Sequence, residues 1–266
     1  MYNVKYVKYE DGSCLVQVSD YAANHKAGNR KKKNDLFSFE RTEEEIIRSF
    51  ENSVKRSKKN VENYGLSNRW EYFLTLTLDP EKVDGLCYEE AKRALEKYLD
   101  SFRKRHPNVK YLCVLEKGEK HGRWHAHLLV GNCKLKLVDS GRKTRDHQKI
   151  YNLDTSEYNL GFTTVTLVKS SMAAGRYISK YIGKALGNVP ENAKRYWATK
   201  NLDSAEKEAI KYYLDYKEKD KLISILKRFC AFFNEKYVPV IDNTFRYFRF
   251  DSYVDVGEII TELAAA

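Results

Sequence analysis

Val109-Lys-Tyr-Leu-Cys-Val-Leu-Glu116, Lys117-Gly-Glu-Lys-His-Gly122 and Trp124-His-Ala-His-Leu-Leu-Val130 follow one another almost without a break. Two apolar, β-prone runs flank a short polar loop containing glycine, which is the pattern of an antiparallel hairpin. Upstream, Tyr88 to Arg105 repeats Ala91, Leu95, Leu99 and Phe102 along one helical face. Before it, Trp70-Glu-Tyr-Phe-Leu-Thr-Leu-Thr-Leu78 is a strand, stopped by Asp79-Pro80. Downstream, 139–160 is a polar connection, Gly161 to Val168 a further strand, and Met172 to Leu186 a helix. The order strand, helix, strand, strand, strand, helix predicts an α+β fold, with a central antiparallel β-sheet and flanking helices.

The flanks extend this reading. Residues 2–18 alternate around Asp11-Gly12 as a hairpin, with Val4, Tyr6, Leu15, Val16 and Val18 as its apolar positions. Residues 24–35, with Arg30-Lys31-Lys32-Lys33, are a basic polar arm. Thr42 caps a helix running to about Tyr64, and Glu43 to Glu45 suit its N-terminal dipole. Its far half carries Lys55, Arg56, Lys58 and Lys59. Beyond about 200, helices are expected over Ala205 to Phe233, then an extended aromatic piece around Phe245 to Phe250. The expected division is 1–65 for the N-terminal hairpin and basic helix, 66–202 for the central domain and 203–266 for a helical accessory segment.

The 266 residues carry a net charge of +11, with 42% hydrophobic and 32% charged residues. A packed core is within reach, and the positive surplus points to a polyanionic partner, nucleic acid first. Twenty tyrosines on such a chain also suit stacking on unpaired bases, although most are expected to sit half-buried in sheets and helices. No run of about 18 apolar residues spans a membrane, and the N-terminus lacks the layout of a signal peptide. Five scattered cysteines, none in a C-x-x-C pair, read as free thiols of a reducing cytosol.

Three segments carry chemistry. His125 and His127 are two apart on a strand and share a face. Glu116, at the end of the partner strand, lies within cross-strand reach of both. Two imidazoles and a carboxylate suit Mg²⁺ or Mn²⁺; zinc is less suited to phosphate work. Six histidines in all leave little for a second, dinuclear site. Tyr177 and Tyr181 are four apart on a helix, on one face, and Lys180 and Lys184 each follow a tyrosine by one turn. A phenol of pKa near ~10 is a weak nucleophile at neutral pH, and a neighbouring ammonium favours its phenolate.

Taken together, Thr75-Leu76-Thr77 at the end of an apolar strand, His125-Ala126-His127 on a second strand, and Tyr177 to Lys184 on a helix resemble three ordered motifs. These belong to the HUH-superfamily rolling-circle replication initiators of small phages, viruses and plasmids. The resemblance covers about 66–202, and Arg195 to Leu202 is similar to a segment of a phage- and plasmid-borne branch. Ala126 departs from the bulkier apolar residue that is frequent there. The resemblance implies an RRM-like palm, a metal site of Glu116, His125 and His127, and nicking of single-stranded or supercoiled origin DNA by tyrosine attack. A 5′-phosphotyrosyl enzyme and a free 3′-OH would result, with later rejoining of the strand. Tyr181 is the first choice where one tyrosine acts. Lys55, Arg56, Lys58, Lys59 and Arg176 are expected to contact DNA. With no Gly-x-x-x-x-Gly-Lys-[Ser/Thr] loop in the chain, unwinding is expected from a host helicase and synthesis from a host polymerase. The rival readings are a transposase or relaxase with the same chemistry, a non-enzymatic single-strand binder, and a zinc hydrolase.

Overall fold

The computed structural model describes residues 2–10, 12–23, 42–184, 193–239, 242–252 and 254–265, apart from the side chains of 23, 172, 182–184 and 264–265. The chain divides into two compact units, Arg41–Asp203 and a unit joining Met1–Glu40 to Ser204–Ala266. Of the net charge of +11, +10 lies in 41–203, where 31 Lys and Arg face 21 Asp and Glu; the other unit keeps +1. The pull on a polyanion therefore belongs to the larger unit.

In the larger unit, α1 (Glu43–Leu66) is followed by β3 (Tyr72–Thr77), α2 (Tyr88–Arg105), β4 (Lys110–Lys117) and β5 (Trp124–Gly131). Then come β6 (Leu137–Lys143), β7 (Lys149–Leu153), β8 (Thr163–Leu167), α3 (Ser171–Lys184) and β9 (Tyr196–Ala198). The strands, all paired antiparallel, form one sheet in the order β6-β7-β8-β3-β5-β4-β9. The predicted hairpin is β4–β5, and Thr42 caps α1 in a reciprocal box with Glu45.

Strand period sorts the residues onto two faces. Leu74, Leu76, Cys113, Leu115, Ala126, Leu128 and Val130 pack with Ala91, Leu95, Leu99 and Phe102 of α2 in one core. The opposite residues, Leu112, Val114 and Leu129, pack with Val54 and Val61 of α1 and Ile178 of α3 in a second core. Phe73 and Tyr181 flank this second core. Helices α1 and α3 come into backbone contact where two glycines meet. A Cβ on Gly65 would lie 2.6 Å from the Gly175 Cα, and one on Gly175 would lie 2.5 Å from the Gly65 carbonyl carbon. Only residues without a side chain allow this approach, and it fixes the depth at which α3 lies.

The smaller unit comprises β1 (Tyr2–Lys8), β2 (Cys14–Ala23), β10 (Ile210–Tyr212), α4 (Tyr216–Phe229), β11 (Phe232–Val238), β12 (Asn243–Phe250) and α5 (Val256–Ala265). Its sheet runs β10-β1-β2-β12-β11, so both chain ends build one core. The Asn3 carboxamide donates to the Leu214 carbonyl at 2.6 Å and accepts from the Leu214 N–H at 2.9 Å.

Several readings of the sequence need correction. The connection 139–160 contains most of β6, which is largely exposed, and all of β7; neither has a clear apolar alternation. The helical reading of Ala205 to Phe233 fails at both ends, with β10 before α4 and β11 beginning at Phe232. Phe232 and Phe233 follow the helical run without a break in hydrophobicity, so only pairing with β12 ends it. The packing also divides the chain differently from 1–65, 66–202 and 203–266: α1 packs with α3, and the N-terminal hairpin pairs with β10 and β12. The basic arm 24–35 lies outside the described residues. No described helix is long and apolar enough to cross a membrane.

Candidate functional site

The site forms on the α1/α3 side of the sheet, where β3, β5 and β4 lie next to one another. Antiparallel register sets Thr75 opposite His127, Thr77 opposite His125, and His125 opposite Glu116. Because β-strand side chains alternate, all five project to one side. His127 Nε2 lies 2.9 Å from Glu116 Oε2, and its Nδ1 lies 3.1 Å from the Thr75 hydroxyl. His125 Nδ1 lies 3.1 Å from the Thr77 hydroxyl. Glu116 and His127 are 9% and 6% exposed, so their pairing offsets part of the cost of burying two polar groups.

Helix α3 covers this patch through Ala174, Ile178 and Tyr181, which lie toward the sheet, while Lys180 is exposed. The Tyr181 ring stacks on His127 with centroids 3.8 Å apart and planes at 11°. Tyr177 meets Tyr181 edge-on at 5.2 Å, and Phe73 touches His127, Tyr177 and Tyr181. Contacts of this kind contribute about 0.5–1.5 kcal/mol each and fix ring orientation. Tyr177 is nearly half exposed.

Electrostatics follow from this packing. Burial raises the Tyr181 pKa, as do its hydrogen bond with Tyr177 and the charge of Glu116. Its surroundings thus oppose ionisation, and no described lysine side chain is among the causes. Burial holds the His125 imidazole below the ordinary histidine range; His127, Arg123 and His121 add to this, and Glu116 opposes it. A cavity of about 480 Å³ opens beside His125, lined by Thr77, Leu86, His121 and Arg123. A larger one, about 560 Å³, lies over α2 among Arg93, Lys97, Tyr98 and Arg105, on the other face of the sheet and away from the imidazoles.

The donors fit a divalent cation chemically: a carboxylate and two imidazoles, both rings held at Nδ1 with Nε2 left to face a ligand. The 2.9 Å between His127 Nε2 and Glu116 Oε2 is close to the spacing of neighbouring ligands around an ion bound at about 2.1 Å. Gly118 leaves room beside His125, since a Cβ there would come within 2.9 Å of His125 Nε2. Among the described residues no three His, Cys, Asp or Glu side chains stand together as a ready cage for an ion.

The structure therefore gathers Glu116, His125, His127, Tyr177 and Tyr181 at one place. Lys55, Arg56, Lys58 and Lys59 are exposed along α1, Arg176 is half-buried on α3, and the Lys184 side chain lies outside the described set. Sequence reasoning missed Phe73 and Gly118, and it gave Thr75 and Thr77 no contact with the imidazoles. The matching two-residue period of Phe73, Thr75 and Thr77 beside His125 and His127 was the available signal.

Residues 71–186 match the family model for the replication-associated protein ORF2. This stretch runs from β3 through α3 and contains Glu116, both histidines and both tyrosines. No solved structure matches. The chain spans about half the length of the curated relative it matches: it is 32% identical over 161 residues, 54% of this chain and 46% of that protein, to the Replication-associated protein ORF2 of Spiroplasma virus 4.

Proposed function

We propose that the protein initiates rolling-circle replication of a small replicon by nicking single-stranded origin DNA, as HUH-superfamily initiators do. The observation that carries this reading is the stack of Tyr181 on His127, whose far nitrogen faces Glu116: phenols and a metal-type donor set share one patch. The similarity of residues 71–186 to replication-associated proteins supports the biological setting.

Glu116, His125 and His127 would hold Mg²⁺ or Mn²⁺. That ion, when bound, polarises a non-bridging oxygen of the target phosphate. Tyr177, the more exposed phenol, is assigned the first attack where both tyrosines act; Tyr181 remains the first choice where one acts. Its oxygen bonds to phosphorus as the P–O3′ bond breaks. The tyrosine becomes a 5′-phosphotyrosyl ester, its proton passes to solvent, and the departing 3′ oxygen takes up a proton to become a primer hydroxyl. Tyr181 holds the Tyr177 hydroxyl by their shared hydrogen bond and is placed for the later rejoining cleavage. Lysines and arginines of α1 and α3 bind phosphates along the strand. A host helicase and polymerase supply unwinding and synthesis.

The test is a 3′-end-labelled oligonucleotide spanning the replicon origin, incubated with Mn²⁺ and resolved on a denaturing gel. A protein–DNA adduct that is lost in Tyr177→Phe/Tyr181→Phe supports the reading. A double variant that still forms the adduct would show that the nucleophile is another residue.

A further inference from the structure

We propose that Thr75 and Thr77 are positioning residues for the two imidazoles. Their hydroxyls hold Nδ1 of each ring so that Nε2 is the nitrogen offered to a divalent cation, and this rests on the metal-site reading above. The same contact occurs twice, at 3.1 Å each, in two cross-strand pairs two residues apart on β3 and β5. A one-residue slip of register would destroy both. β3 lies between β5 and β8 inside the sheet, and threonine is stiff at χ1, so the hydroxyls are fixed reference points.

The choice of a hydroxyl follows from the other side of the His127 ring. His127 Nε2 lies 2.9 Å from Glu116 Oε2, so Nδ1 is the nitrogen left to the Thr75 hydroxyl, which can donate to it or accept from it. With Nε2 bound to a cation, the proton sits on Nδ1, which donates to the Thr75 oxygen. A backbone carbonyl only accepts and would favour one tautomer; a hydroxyl both donates and accepts, and keeps its hold through the change. For His125, Thr77 supplies the same hold and Gly118 keeps the space beside Nε2 clear.

The test uses the full chain with ¹⁵N-labelled histidine. In the wild type, both Nδ1 signals are expected to show the hydrogen bonds with Thr75 and Thr77, and addition of Mg²⁺ is expected to move the Nε2 signals. Thr75→Val and Thr77→Val should weaken Mn²⁺ binding, read by electron paramagnetic resonance, about 10–100-fold each. Thr75→Ser and Thr77→Ser should retain it, which separates loss of the hydroxyl from loss of folding. Valine variants that bind Mn²⁺ like the wild type, with the same ring nitrogens protonated, would overturn the proposal. If the wild type binds no Mn²⁺, the metal reading fails, but the metal-free spectra still decide the role of the threonines: the Nδ1 signal must shift in each valine variant, and an unmoved signal refutes it.

Discussion

Replacing Gly175 by alanine probes how the tyrosines are held. The new Cβ would meet three backbone atoms of Gly65 at 2.5, 2.7 and 2.9 Å, where no side chain can turn aside. Ordinary carbon contacts are about 3.5–4.0 Å, so α1 and α3 must separate by roughly 1 Å. Overpacking of this kind costs about 1–3 kcal/mol, and alanine returns about 1 kcal/mol of helix propensity. The net loss is about 0–2 kcal/mol, equivalent to a fall in melting temperature of up to roughly 8 °C. Tyr177 follows on the same helix, one turn or less beyond the contact, and Tyr181 lies one turn further on. A displacement of that size at a reacting group can cost on the order of 100-fold in rate. Thermal unfolding by circular dichroism and the single-turnover rate of adduct formation together measure both effects. A variant that melts at or above the wild type and forms adduct at the wild-type rate would refute the close-packing argument.

Other predictions rest on the same geometry. Gly118→Ala should crowd His125 Nε2 and weaken Mn²⁺ affinity with little change in melting temperature, measured by titration calorimetry. Replacing His127 by alanine should abolish metal-dependent cleavage while anisotropy of a labelled single strand shows near-normal binding, because phosphate contacts spread over many cations supply most of the affinity. Changing Lys55, Arg56, Lys58 and Lys59 to glutamine should lower the slope of log K against log salt by about 0.7 for each phosphate no longer neutralised. For pH, the His125 pKa is lowered in the folded state, so the unfolded chain binds the proton first. Stability should therefore fall as pH drops below the ordinary histidine value of 6.5, until the folded pKa is reached, and His125→Asn should flatten that part of a urea-unfolding series.

Much of this site could be read from residue spacing alone. A two-residue period placed His125 and His127 on one face, and the short polar loop brought Glu116 back beside them, because an antiparallel hairpin leaves little freedom in register. A four-residue period placed Tyr177 and Tyr181 together on α3. What stayed hidden depends on contacts distant in sequence. Tyr181 stacks on His127 because the depth of α3 is set by Gly65 and Gly175, and a glycine gives no periodic signal. The Glu116 charge that helps raise the Tyr181 pKa likewise comes from a segment distant in sequence. In the smaller unit, Tyr2 to Ala23 pairs with strands more than 180 residues away, and the exposed strand β11 has no apolar alternation to announce it. Local propensity over 205–233 favoured helix throughout, and tertiary pairing overrode it after Phe229.

The central claim is that one of two phenols beside Glu116 and His127 becomes covalently joined to DNA. The most direct measurement is mass spectrometry of the trapped adduct after nuclease and protease digestion, in Mg²⁺ or Mn²⁺. A nucleotide 5′-phosphate on Tyr177 or Tyr181 is the predicted result. A nucleotide on any other residue, or cleavage with no covalent protein species at all, would contradict the account.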